Sequence, residues 1–165
     1  MISSGYILQL YYAYIYSRIT YGVEIYGIAD KYLLNKLQRL QNRILKILYN
    51  KDWFTPTNAL HKSLVILKVD DVVKLFVIKF VQQCKNGEIP DALKGYYVKR
   101  NVIHDLNTRN KDKYEIPLYK SVNYGQRSLK FVGAKLYNEL PACITGSINL
   151  KLFSRRVKDL FLCQY

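Results

Sequence analysis

Apolar positions recur with a helical period along most of this chain. Between Asp30 and Asn50, Leu33, Leu37, Leu40, Ile44 and Leu48 fall four, three, four and four residues apart, which is one face of a helix. Lys36, Arg39, Arg43 and Lys46 fall on an adjoining stripe. The spacing predicts a helix over 31–48, leucines turned inward and cations held outward. Asp30 stands where a side chain caps the first turn, and Asn50 with Trp53-Phe54 ends the helix. Thr55-Pro56-Thr57 restarts the chain, with Thr55 as cap, for a short helix through His61. The next helix is expected from Asp70 or Asp71 to about Cys84, burying Val73, Phe76, Val77, Phe80 and Val81, with Asn86-Gly87 as its stop. Pro90 opens a further turn ending at Gly95. Leu129, Val132, Leu136 and Leu140 predict a helix ended by Pro141. Asn149 caps a last one with Leu150, Phe153, Val157, Leu160 and Phe161 on one face.

Two stretches are less regular. Residues 6–16 suit a helix, but their tyrosines and isoleucines leave a strand open. Ser17–Gly27 reads as a bend with a short helical or extended piece. Residues 96–128 are polar, basic and rich in turn formers (Asn107, Asn110, Pro117, Asn123, Gly125), which predicts a long loop. The expected fold is mainly α, a small helical bundle with a long polar loop region and a C-terminal helix. Its expected parts are a helical domain at 1–95, a basic loop or linker at 96–128, and a helical segment at 129–165 that packs back on the first.

Composition narrows the function. A chain of 165 residues is expected to hold one domain, or one domain with a ragged appendage, and 50% apolar residues exclude a disordered chain. Lysine and arginine number 26 against 12 acidic residues, a net charge of +14. That excess calls for a polyanionic partner, nucleic acid before membrane. The most apolar stretch, 6–29, is interrupted by Arg18 and Glu24 and falls short of a membrane span. Met1 is followed by no basic leader, and Cys84, Cys143 and Cys163 make no disulfide framework. An intracellular protein, nuclear or cytoplasmic, is expected, with the cysteines as small apolar residues in or near the core.

The search for chemistry is short. Asp70-Asp71 has the form of a polymerase metal pair, but such a site needs a third carboxylate and a hairpin, and VVKLFVIKF continues as a helix. Asp70 is therefore expected to cap that helix, with Asp71 favoured by its positive end. His61 and His104 have no partner pattern, and no glycine-rich phosphate loop occurs. No catalytic residue, metal or cofactor is expected. What remains is charge: the 31–48 stripe, a second basic stretch (Lys99-Arg100, Arg109, Lys111, Lys113, Lys120, Arg127, Lys130), and a third at Arg155-Arg156 and Lys158. Tyrosines can stack on bases, but their spacings suit a core or its rim.

Taken in order, YIYSRITYGVEIYG (14–27), LNKLQRLQNRILKILYN (34–50), TPTNALH (55–61), LVILKVDDVVKLFVIKFV (64–81), GEIPDAL (87–93), NTRN (107–110), GQRSLKFVGAKLYNELP (125–141) and LKLFSRRVKDLFLCQY (150–165) form a series. The series resembles the C-terminal region of the second open reading frame product of jockey-like non-LTR (LINE) retrotransposons. The resemblance implies a thumb and post-thumb region, following the fingers and palm of a reverse transcriptase. Tyr137 stands where the family usually has tryptophan, and Tyr26 where it often does. The palm's aromatic-x-Asp-Asp hairpin and any endonuclease are missing from this stretch, so no activity is expected of it alone. Met1 is then expected to be an accidental start inside a decayed or truncated element.

A thumb touches the sugar–phosphate backbone of an RNA or RNA–DNA duplex, which needs basic side chains on a helix face and no base readout. The candidate nucleic-acid-binding residues are Lys36, Arg39, Arg43 and Lys46, with Arg127 and Lys130 as outside candidates. The alternatives are a protein-interaction or self-association module, using surfaces that once met the missing palm, and a functionless translated remnant. A membrane-surface role ranks last.

Overall fold

A computed structural model describes residues 4–103, 110–146 and 149–165; His104, Asn107 and Arg109 lie outside the described residues. The chain is mainly helical. It divides into two compact units, residues 1–73 with 158–165, and residues 74–157, the boundaries falling inside two helices.

The first unit begins with α1 (Ser4–Leu10), a π-helical stretch (Tyr11–Tyr16) and α2 (Ser17–Thr20). The strand alternative for 6–16 is not adopted. The widened turn, closed by Ser17 N–H to Tyr12 O, gathers Tyr11, Tyr12 and Tyr16 with ring centroids 5.1–6.4 Å apart. The bend at Gly22 leads into α3 (Val23–Tyr26). Helix α4 spans Lys31–Leu48, and Asp30 caps it by accepting from Tyr32 N–H at 2.9 Å. Helix α5 (Thr57–Leu64) starts one residue later than expected: Pro56, not Thr55, occupies the capping position. It also runs a turn past His61, because its last carbonyls find partners in a left-handed terminus. Ile66 N–H reaches His61 O and Val65 N–H reaches Lys62 O.

Helix α6 (Val69–Asn86) starts at Val69, with Lys68 O accepting from Asp71 and Val72. Asp70 is therefore in the first turn and is not the cap. In the second unit α6 ends on Gly87, whose φ of 75° is open to glycine without strain. A 3₁₀ turn (Asp91–Leu93), α7 (Arg100–Ile103), a π-helical turn (Val122–Gln126), α8 (Leu129–Asn138), α9 (Ala142–Thr145) and α10 (Leu150–Leu162) follow. Ser128 caps α8 through Phe131 N–H, and Asn149 caps α10 through Lys151 N–H. The turn-rich region contributes an isolated antiparallel bridge, Lys99 with Tyr114, and an Arg100–Glu115 ion pair at 3.0 Å.

Each unit has its own core. In the first, Tyr11, Leu45, Leu60 and Ile66 cluster, so α4 packs on the N-terminal helical segment and on α5. In the second, aromatic rings form a ladder: Tyr97 to Tyr114 at 5.7 Å, Tyr114 to Tyr137 at 5.4 Å, Tyr137 stacked on Phe153 at 6.2 Å. Hydroxyls at its rungs are satisfied, Tyr97 donating to Leu129 O and Tyr137 to Gln82 Oε1. Asn138 clamps the Tyr114 backbone, accepting from its N–H at 2.9 Å and donating to its carbonyl at 2.8 Å. Burial pushes the Tyr97 and Tyr137 hydroxyls well above the ordinary tyrosine value.

The buried faces are not the leucine stripes. On α4 the buried residues are Leu34, Gln41 and Leu45, while Leu33 and Leu40 are 54% and 55% exposed. On α8 they are Gly133, Ala134 and Tyr137, with Leu129, Val132, Leu136 and Leu140 half-buried. Cys143 and Cys163 are exposed rather than in the core; Cys84 is half-buried, and burial pushes its thiol up to about 11.

Two substitutions check this packing. Val65 holds φ 56°, costly for a β-branched residue, and it is half exposed. Val65→Gly is expected to raise the melting temperature, gaining about 1 kcal/mol from the relieved backbone. A Cβ on Gly133 would lie 2.2 Å from the Tyr97 hydroxyl oxygen and 3.0 Å from a Val81 methyl. Gly133→Ala is expected to destabilise by about 1–3 kcal/mol in denaturant titration.

Candidate nucleic-acid interface

The segment joining α5 to α6 runs through the interior of the first unit. Ile66, Leu67 and Val69 are buried there, and their peptide groups need partners away from water. Helix α4 supplies them. Gln41, 1% exposed, donates to Leu67 O at 2.9 Å and to the Tyr11 hydroxyl at 2.8 Å. Gln38 accepts from Val69 N–H at 2.7 Å and donates to Gln41 and Asn42. His61 is buried, with Nδ1 3.0 Å from Ile66 O and Nε2 2.9 Å from the Asn42 side-chain oxygen. Tyr165 closes the same seam: its hydroxyl accepts from Lys68 N–H at 2.8 Å and donates to Asp71 at 2.6 Å. Among the described residues no buried side-chain nitrogen or oxygen lacks a partner.

This seam fixes the rotation of α4 about its axis. With Leu34, Gln41 and Leu45 inward, residues 36, 39, 43 and 46 fall within roughly 80° of arc on the opposite side, at about 100° per residue. Lys36, Arg39 and Arg43 are exposed and Lys46 is half-buried. All four line one groove of about 620 Å³, together with Leu40, Asn42, Trp53 and Thr57. The lining holds four cations and no carboxylate. Lys46 bonds the main-chain oxygen of Trp53 and sets its ammonium 5.6 Å from the indole centroid. At the far end, the Lys36 ammonium lies 4.5 Å from the Tyr32 ring.

Arg127 and Lys130 belong to the second unit and do not line this groove. The Arg127 N–H closes the π-helical turn on Val122 O, and the Lys130 ammonium lies 5.7 Å from the Tyr96 ring. The sequence marks Trp53 only as the end of a helix and does not single out Asn42 or Thr57. A lone tryptophan directly after a basic helix was the available signal. Among the described residues no three His, Cys, Asp or Glu side chains come together as a metal site would require, and no helix is long and apolar enough to cross a membrane.

This chain is 27% identical over 82 residues to the RNA-directed DNA polymerase from mobile element jockey of Drosophila melanogaster. It is distantly similar to a reverse transcriptase. The match takes in half of this chain and 9% of that polymerase's length. No family profile matches the chain, and no solved structure does.

The polar seam carries a testable pH dependence. Burial pushes His61 below its ordinary value of 6.5; the Ile66 carbonyl opposes this, Lys68 adds to it, and Asp71 opposes it. The unfolded chain then binds the proton first, so the stability from neutral His61 is complete above pH 6.5 and is lost as pH falls through the lowered folded value. Melting temperature is expected to fall on acidification below pH 6.5, and His61→Gln to flatten that slope.

Proposed function

We propose that this chain is a thumb-like, C-terminal part of a non-LTR reverse transcriptase lineage, and that the α4 groove binds nucleic-acid backbone without reading sequence. The observation that carries the reading is the grouping of Lys36, Arg39, Arg43 and Lys46 in one carboxylate-free groove. Cations so placed replace condensed counterions along a phosphate chain, which gives affinity without base discrimination. The net charge of +14 and the distant similarity to the jockey polymerase point the same way. On this reading Arg127 and Lys130 add a secondary contact from the second unit. The palm of a polymerase is a natural protein partner.

The second reading, a protein-interaction module, has its own observation. Leu33, Leu37, Leu40, Ile44 and Ile47 alternate four and three residues apart along α4, and Leu33, Leu40 and Ile47 are more than half exposed. That is a coiled-coil-like seam beside the basic groove, suited to an apolar helix with acidic flanks.

One experiment separates the two. Lys36→Glu, Arg39→Glu, Arg43→Glu and Lys46→Glu are combined, and binding to a labelled RNA–DNA duplex is followed by fluorescence anisotropy at several salt concentrations. The wild-type chain is expected to show log Kobs falling with log salt at a slope of about −3.6 for a four-phosphate duplex contact, indifferent to sequence. The reversed variant, with an unchanged circular dichroism spectrum, is expected to lose binding. Salt-independent binding, or unchanged affinity after reversal, would falsify the nucleic-acid reading.

A further inference from the structure

We infer that the α4 groove is built for a strand with unpaired bases, Trp53 serving as the stacking platform. The inference rests on the nucleic-acid reading above and adds the class of nucleic acid to it. A backbone-gripping surface needs cations alone, since phosphates carry the charge of a duplex and its bases are stacked inside. This groove has more. Trp53 shares its lining with the four cations and is 68% exposed. Lys46 reaches it at two points, donating to its main-chain oxygen and setting its ammonium 5.6 Å from the ring centroid. Phe54, next in the chain, is 93% exposed and offers a second ring.

A large apolar ring left open to water beside cations has a use when an unpaired base lies on it. The dimensions agree. Residues 36 to 46 span about 15 Å of helix axis at 1.5 Å per residue. Stacked as in one strand of a double helix, with an axial rise of about 3.4 Å per nucleotide, about four nucleotides cover that length. The groove volume of about 620 Å³ lies in the range that admits a flat organic ring. Leu40, Asn42 and Thr57 complete the lining, one apolar residue and two polar ones.

The chain contains one tryptophan, so its fluorescence reports on Trp53 alone. Full-length protein is titrated with a ten-residue oligoadenylate strand, and separately with that strand paired to oligouridylate. The single strand is expected to quench the emission saturably and the duplex to leave it nearly unchanged. By anisotropy of the labelled strand, Trp53→Ala is expected to weaken single-strand binding about five- to a hundredfold while duplex affinity moves less than twofold. Trp53→Phe is expected to restore most of the loss. Equal quenching by both ligands, or Trp53→Ala weakening both alike or neither, overturns the inference. If the charge-reversed variant loses binding while Trp53→Ala does not, the single-strand assignment alone fails. If charge reversal changes nothing, the nucleic-acid reading fails with it.

Discussion

The candidate interface depends on a buried glutamine. Gln41 ties α4 to the interior connection and to Tyr11, and it cannot turn outward without leaving the Leu67 carbonyl and the Tyr11 hydroxyl unpaired inside the protein. A leucine there would pack well enough in several rotations of the helix. A side chain that must meet two fixed partners permits one. The four cations inherit that rotation, which is why side chains with no contact to the core share a single groove. Asn42 joins the two systems, one face on His61 and the other in the groove lining.

Much of the fold was legible in the sequence because helix ends are local. Asp30 and Asn149 announce starts through short-range hydrogen bonds, and Asn86-Gly87 announces a stop. The mainly helical character follows from periodicity alone. What periodicity misreads is direction. Counting leucines turned α4 toward Leu33 and Leu40, and α8 toward Leu129 and Leu136. The structure buries Gln41 on one and Gly133, Ala134 and Tyr137 on the other. These residues are inside for reasons no hydropathy value holds: a distant carbonyl needs a donor, or a tyrosine ring crosses close to the helix backbone.

The candidate site was legible in the same partial way. Four cations on one helix face are visible in the spacing of 36, 39, 43 and 46. That they line a groove with Trp53 is not, because Trp53 returns to them through a turn at Asn50 in the left-handed region and a short irregular stretch. The turn-rich region likewise hid its structural role. Tyr97 and Tyr114 sit among asparagines, lysines and prolines, yet they supply two rungs of the second core.

That ladder bears on the order in which the molecule takes shape. Its rungs come from four segments widely separated along the chain, so the second unit has no centre until Phe153 has been made and has left the ribosome. Contacts between sequence-distant residues are slow to form, because a long loop must close before they return any energy. Helices α4 and α5 can meet the Tyr11 segment during synthesis, but their unit closes only when Tyr165 reaches Lys68 and Asp71. Both units therefore wait for the end of the chain, Phe153 for the second core and Tyr165 for the seam of the first.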